Sequence, residues 1–402
     1  MKSNKITLKQ VGKIISGYAF KSKDFTDNGI PVIKIANIKN EQVVVDDCQY
    51  IPSFFLESLD PKFQIVKNDI LISLTGSHLS QPNSVVGRVA RYHHEQVSLL
   101  NQRAGKLIIK ENSGYNLLFL YYYLLQSSIR EQIALMAQGS ANQANISPSD
   151  VERLLIPDFP LPTQEKIANI LSKYDDLIEN NRRRIELLEK SARLLYKEWF
   201  VYLRFPAHEH TPIIDGIPDG WEKKILKELA FLTMGQSPKS EFYNEDKIGL
   251  PFHQGVANFG GRFPENKFYS TKESRIAEEG DILFSVRAPV GRMNISLEKI
   301  IIGRGLAAIR SKNHHQGFLY YQLKNHFFKE DMIGTGAIFA SVTRAGLENV
   351  EFITPKDSII KLFLEQIHPI DNQIKTLHQM NQKLKQARDI LLPRLMNGEI
   401  NV

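Results

Sequence analysis

The stretch Gln164-Glu-Lys-Ile167-Ala-Asn-Ile-Leu171-Ser-Lys-Tyr174-Asp-Asp-Leu-Ile178-Glu-Asn-Asn181-Arg-Arg-Arg-Ile185-Glu-Leu-Leu188-Glu-Lys-Ser-Ala192-Arg-Leu-Leu195-Tyr-Lys-Glu-Trp199 decides the fold. From Ile167 to Trp199 its apolar positions step alternately by 4 and 3. That is a heptad seam sustained over about five repeats. Charges of both signs fill the positions between. Moved on by 196, the seam reappears as Phe363, Ile367, Ile370, Ile374, Leu377, Asn381, Leu384, Arg388, Leu391 and Leu395. The same offset pairs Asp175 with Asp371, Ala141 with Ala337 and Ala144 with Ala340.

Average globular helices run only about 11–12 residues. Two seams of this length are therefore read as partners for each other. Head-to-tail halves with one fold would make the two helices antiparallel about a pseudo-two-fold axis. Each would span about 54 Å at 1.5 Å per residue and act as a ruler. Asn181 and Asn381 interrupt the seams at a cost in stability, and such residues can fix register. Pro369 is expected to break or kink the second helix unless it lies in a first turn, with a short helix near 359–368 preceding the main one. Thr163, after Pro160 and Pro162, is the expected N-cap of the first.

Working outward, the duplication runs through the whole chain. Thr7–Val11 and Ser16-Gly17-Tyr18 answer Ile225–Leu229 and Met234-Gly235-Gln236. Gly29-Ile-Pro-Val32 answers Gly249-Leu-Pro-Phe252, and Asn68-Asp-Ile-Leu-Ile-Ser73 answers Gly280-Asp-Ile-Leu-Phe-Ser285. Both runs lead to a Gly-Arg pair, Gly87-Arg88 and Gly291-Arg292, and Arg103 and Arg304 each precede a strand-like run. The offset shrinks from 218 to 196 along the chain, so insertions fall in loops between matched strands. Each half reads as short strands, an aromatic helical stretch (117–135 and 318–332), a small-residue loop (138–145 and 334–341) and a long helix. The fold class is α+β.

The chain has 402 residues, 42% hydrophobic and 24% charged, enough for two globular domains with connectors. Its one cysteine, Cys48, permits no internal disulfide and no cysteine-based zinc cluster, which fits a reducing, cytoplasmic setting. The N-terminus lacks the apolar core of a signal peptide, and the longest apolar run, Leu117–Leu125, is too short for a bilayer. The net charge of +7 is compatible with nucleic acid.

Enzyme signatures are missing. There is no phosphate-binding Gly-x-x-x-x-Gly-Lys-Ser/Thr loop and no Asn/Asp-Pro-Pro-aromatic run. Gly303-Arg-Gly305-Leu-Ala-Ala308 fits the loose dinucleotide pattern, but no acidic residue follows at the ribose distance. The pairs His93-His94 and His314-His315 lack metal-ligand spacing and read as solvated loop residues. Asp69 and Asp281 read as turn aspartates before apolar strands.

Taken together, the duplicated Asp-Ile-Leu-Ile/Phe-Ser runs, Ile217-Pro-Asp-Gly-Trp221-Glu222, Pro160-Leu-Pro-Thr-Gln164-Glu-Lys-Ile-Ala168 and Leu391-Leu-Pro-Arg-Leu-Met-Asn-Gly398 resemble the specificity (S) subunit of type I restriction-modification systems. The resemblance covers essentially the whole chain. It implies a non-enzymatic subunit with target recognition domains at 1–160 and 221–357, each reading half of an asymmetric, bipartite site in double-stranded DNA. Spacer helices at 161–200 and 358–402, with a linker at 201–220, would set the distance between half-sites. It further implies two DNA methyltransferase subunits and restriction/translocase subunits as partners, and no membrane. S-adenosylmethionine, ATP and Mg²⁺ would sit on those partners. The alternative is a coiled-coil scaffold, or a stand-alone DNA-binding protein with no restriction partner.

Base reading needs donors and acceptors in a groove, and phosphates need Arg, Lys or backbone N–H groups. The candidates are Ser77, His78, Gln81, Asn83 and Arg88 in one loop of the first half. Arg287 and Arg292 stand in the matching loop of the second. Gln102 and Arg103 are set against Arg304, and Gln254 and Asn258, with His253, against Lys34 and Asn37.

Overall fold

The computed structural model describes residues 4–39, 41–77, 86–140, 143–327 and 341–402. His78, Gln81, Asn83, Ala141, Ala337 and Ala340 lie outside them, as does most of the second small-residue loop. The chain forms two compact units, Met1–Asn181 with Gln379–Val402, and Arg182–His378. Each long helix, Leu161–Phe200 and Asp357–Met396, gives one segment to each unit.

In the first unit one sheet runs in the order Gly12–Ser16, Ala104–Ile109, Ile70–Ser73, Val89–Arg91, all antiparallel neighbours. A second sheet pairs Ile30–Ile33 in parallel with Ser98–Leu100, flanked by Gln49–Ile51 and Gln64–Ile65. All four residues of Ile70–Ser73 are buried, which is why that run is apolar without alternation. Asn68, at φ 76°, turns the chain into it, and the Asp69 carboxylate accepts the Val66 N–H at 2.9 Å. The aromatic stretch is two helices, Leu117–Leu125 and Ser127–Met136, broken at Gln126.

The second unit repeats the plan. Ala230–Met234, Leu306–Ser311, Ile282–Ser285 and Met293–Ile295 form the first sheet in the same order. Leu250–His253 runs parallel to Ile300–Ile302, which pairs with Ile276–Ala277. Gly280, at φ 85°, takes the place of Asn68, and Asp281 accepts the Glu278 N–H at 2.9 Å. Both aspartates also hold a cation, Lys106 at 3.3 Å and Arg310 at 2.6 Å, so they brace turns. The histidine pairs are less solvated than expected. The His94 ring is bonded to the Val43 carbonyl at 2.8 Å, and His315 faces Asp357 at 3.0 Å.

The long helices are antiparallel within each unit. In the first, Ile167 and Leu171 share a core with Leu392, Leu395 and Met396, and the Asn181 amide donates to Asn381 at 2.9 Å. In the second, Tyr196 meets Phe363 at 6.0 Å between ring centroids, and Ala192, Phe363 and Ile367 are fully buried. Tyr174, Ile178, Ile185, Leu188, Leu195, Ile370, Asn381, Leu384 and Leu391 are half-buried, and Ile374 and Leu377 buried. The contact drifts by one residue at the ends, burying Tyr196 beside Leu195 and Leu392 beside Leu391. A helix of 3.6 residues per turn slips against a strict 3.5-residue repeat.

Two expectations fail, a helix break at Pro369 and an N-cap at Thr163. Pro369 lies inside one continuous helix, with no separate helix over 359–368. Pro369 and Glu365, whose carbonyl loses its intrahelical donor, are both exposed, so water can serve that oxygen. Thr163 is not the N-cap, because the helix starts at Leu161 and the Pro160 carbonyl accepts the Thr163 N–H at 2.9 Å.

A buried polar cluster ties the long helices to the aromatic helix and to a loop in each unit. Asp175 accepts from the Tyr122 hydroxyl at 2.7 Å and from Arg388 at 2.6 Å, and Glu41, on a loop, also holds Arg388. Its counterpart Asp371 accepts from the Tyr321 hydroxyl at 2.8 Å and from Arg262 at 2.7 Å. Arg262, on a loop, also donates to Glu189 at 2.9 Å. The polarity is inverted. Glu41 on the loop faces Lys385 on a helix at 3.6 Å, whereas Arg262 faces Glu189, which sits 196 residues before Lys385. Burial would raise the Glu189 carboxyl, but Arg262 and Lys324 together hold it below its ordinary value.

Candidate nucleic-acid interface

Backbone hydrogen bonds bring the candidate loops of each unit to one end of its sheets. In the first unit Tyr18 N–H donates to the Leu100 carbonyl and Gln102 N–H to that of Tyr18, at 2.8 and 2.9 Å. Leu74, which leads into the loop carrying Ser77, donates to the Arg103 carbonyl at 2.9 Å. Gln143–Asn145 closes the corner by pairing with Thr75–Gly76. In the second unit Gln236 donates to Ile302, and Val286, which leads into the loop carrying Arg287 and Arg292, donates to Gly305 at 3.0 Å. The register aligns Gln102 with Arg304, and Arg103 with Gly305, correcting the pairing of the two arginines. An arginine one residue off its counterpart still precedes the same strand, so the motif alone misaligned them.

The glycine before each corner is a framework residue. A Cβ on Gly17 would lie 2.2 Å from the Leu100 oxygen, and one on Gly235 2.1 Å from the Gly303 oxygen. The serine ending each central strand is another. Ser73 Oγ accepts the Arg88 N–H at 2.9 Å, and Ser285 Oγ accepts that of Arg292 at 3.1 Å. What the corner displays differs at every matched position. Tyr18 stands where the second unit has Gln236, Ala19 where it has Ser237, Lys34 where it has Gln254, and Gln102 where it has Arg304.

Among the described residues, the side chains of Arg103, Arg287, Arg292 and Arg304 are exposed and have no acidic partner, and Gln102 and Gln254 are exposed beside them. Arg88 is half-buried, and burial with the nearby Arg130 charge lowers its guanidinium pKa. Ser77 and Asn258 are half-buried and Asn37 is buried, its amide donating to the Val44 carbonyl at 3.1 Å. His253 is 1% exposed and bonded to Asn266 at 2.8 Å, which removes it as a contact. Lys34 is drawn over the Phe25 ring at 4.1 Å and held by Gln49, and burial lowers its pKa. Ser237 was not foreseen, since a lone serine beside Gly-Gln carries no pattern. It is placed by the Arg304 N–H, which donates to its oxygen at 3.2 Å.

Two copies of one sheet-and-loop module, with like backbones and unlike polar corners, define the class of tandem recognition proteins. A profile of the Type I restriction modification DNA specificity domain matches residues 2–190 and again 218–386, and the chain belongs to that family. It is 32% identical over 386 residues to the MjaX type I restriction enzyme specificity subunit, so named, of Methanocaldococcus jannaschii, covering 93% of this chain and 88% of that one. The EcoKI specificity subunit of Escherichia coli K12 is 25% identical over 334 residues, covering 77% and 64%. A solved type I restriction-modification S subunit from M. genitalium shares the fold, with a TM-score of 0.54 at 20% identity over 98% of this chain and 95% of that one. No helix among the described residues is long and apolar enough to cross a membrane.

Proposed function

We propose that this chain is the DNA sequence-recognition subunit of a type I restriction-modification complex, each unit reading one half of a bipartite, asymmetric site. The observation that carries the reading is the pair of matched corners. A reader of two different half-sites needs the same backbone twice and different base-facing side chains, and that is the pattern of Tyr18, Lys34 and Gln102 against Gln236, Gln254 and Arg304. The exposed arginines at the corners, Arg103, Arg287, Arg292 and Arg304, supply phosphate contacts, which position without specifying. The long helices, each shared by both units, set the spacer.

Two methyltransferase subunits and the restriction subunits complete the complex. S-adenosylmethionine, ATP and Mg²⁺ act on those partners, and this chain directs them without catalysis of its own. The test is selection of bound duplexes from a random library by the chain with its methyltransferase partner. Two short blocks separated by a spacer of constant length are expected, with affinity falling linearly on a log–log plot against salt. A heptad added to one long helix should alter the spacing or abolish binding, while the half-site sequences read stay the same. Enrichment of no bipartite motif would overturn the proposal.

A further inference from the structure

The Gly303-Arg304-Gly305 turn has a structural reason that its likeness to a dinucleotide motif hides. A Cβ on Gly303 would lie 2.6 Å from the Gln254 amide oxygen, and one on Gly305 2.6 Å from the Gln254 carbonyl. The Gly305 N–H donates to that carbonyl at 3.0 Å. Two bare glycines therefore let the turn close onto Gln254, and Arg304 rises between them, exposed beside the exposed Gln254. Ser237 completes the arrangement. Its hydroxyl donates to Gln254 Oε1 at 2.6 Å and its oxygen accepts the Arg304 N–H at 3.2 Å.

The chemistry follows from which end of the amide is held. A free glutamine amide offers a donor and an acceptor, the pair that matches the adenine major-groove edge. Here Ser237 takes one of the two lone pairs of Oε1 and holds that oxygen against the turn beside Gly303, while Gln254 Nε2 has no hydrogen bond among the described residues. The end of the Gln254 amide left unheld is the Nε2 donor, and the Arg304 guanidinium is a donor as well. Guanine N7 and O6 and thymine O4 are acceptors, whereas cytosine offers a donor and adenine one of each.

Resting on the recognition function proposed above, we infer that Ser237 is a positioning residue for sequence specificity: by holding the Gln254 amide oxygen against the turn it leaves the Nε2 donor, beside the Arg304 guanidinium, as the reading end of the corner. Arg304 reads a guanine in the second unit's half-site, and Gln254 reads a neighbouring guanine or thymine and discriminates against adenine. The first unit has Ala19, Lys34 and Gln102 at these places and reads by different chemistry.

The test uses the full chain with its methyltransferase partner and a duplex library randomised across both half-sites, sequenced before and after binding. Wild type should show a guanine in one block beside a position favouring guanine or thymine. Arg304→Ala should erase the guanine preference at one base pair by about ten- to a hundredfold. Ser237→Ala should raise adenine at the adjacent position about tenfold, and Ser237→Thr, which keeps the hydroxyl, should retain the wild-type preference. The other block should be unchanged throughout, and preferences kept at the remaining positions of the same block report that the second unit of each variant is folded. Wild-type preferences at every position in both Arg304→Ala and Ser237→Ala would overturn the inference and leave the recognition function standing. Absence of a bipartite motif in the wild type would take both down.

Discussion

Replacing Arg388 with methionine should destabilise the first unit by about 3–5 kcal/mol at pH 7.5, the range for removing one partner of a buried ion pair. The side chain is 4% exposed and lies 2.6 Å from Asp175, 2.6 Å from Glu41 and 2.7 Å from Asp389. Methionine fills much of the same volume, so the loss comes from the charge left behind rather than from a cavity. Asp175, itself 9% exposed, would keep the Tyr122 hydroxyl as its one donor among the described residues. Glu41 and Asp389 reach solvent and lose little.

Burial already holds the Asp175 carboxyl above its ordinary value, with Arg388 pulling it down. Without Arg388 it rises further. The native variant then binds a proton that the unfolded chain releases above the ordinary carboxylate range, so its stability falls as pH rises through that window. The deficit against wild type should accordingly shrink between pH 7.5 and pH 5. At about 2–4 °C per kcal/mol, thermal unfolding should show a shift of about 6–20 °C at the higher pH. Hydrogen exchange should speed up in Leu117–Leu125, while Gln316–Phe327 in the second unit keeps its protection. Asp175→Asn combined with Arg388→Met should lie within about 1–2 kcal/mol of wild type, because both charges leave together. A single variant melting with the wild type at pH 7.5, or a deficit equal at both pH values, would refute the reasoning.

Asn181→Leu alone leaves the Asn381 amide oxygen without its donor and should cost about 1–3 kcal/mol in denaturant unfolding, whereas Asn181→Leu with Asn381→Leu should be near neutral; equal losses would count against the pairing. Gly235→Ala should abolish reading of one half-site and Gly17→Ala of the other, measured with duplexes altered in one block at a time, because each new Cβ collides with a corner carbonyl. Pro369→Ala should raise stability by up to about 3 kcal/mol, since it restores an N–H to the Glu365 carbonyl within a helix that is already continuous. No gain in the melting temperature would mean that the proline fits its place better than its chemistry suggests.

The elements carried by short-range pattern were legible in the sequence. The seams from Ile167 and Phe363 needed only a period, and the matched Asp-Ile-Leu runs only an internal comparison. The match of Asp175 to Asp371 was visible as an offset, but its meaning was not. Tyr122, Arg388 and Glu41 come from three distant parts of the chain, and Arg388, at a seam position, carries no local sign of the carboxylates it meets. Pro369 misled because its local penalty is outweighed by the burial of Phe363, Ile367 and Ile374 around it. At the candidate interface the loops were found and their chemistry only partly. His253 looked polar and available, yet it ends a strand and points inward, and the role of Ser237 depends on a fold that sets it against residues 17 and 67 positions away.

The opposite polarity of the two buried clusters bears on how such a chain can be reshuffled. Glu41 grafted into the second module's place would meet Glu189, and Arg262 in the first's would meet Lys385 and Arg388. Like charges would then face each other at a site only partly open to solvent. A crossover that exchanges one reading head must carry along the helical segment keyed to it, or reverse the charge at the loop. Within this one polypeptide, the two descendants of an ancestral duplication have become a left and a right hand.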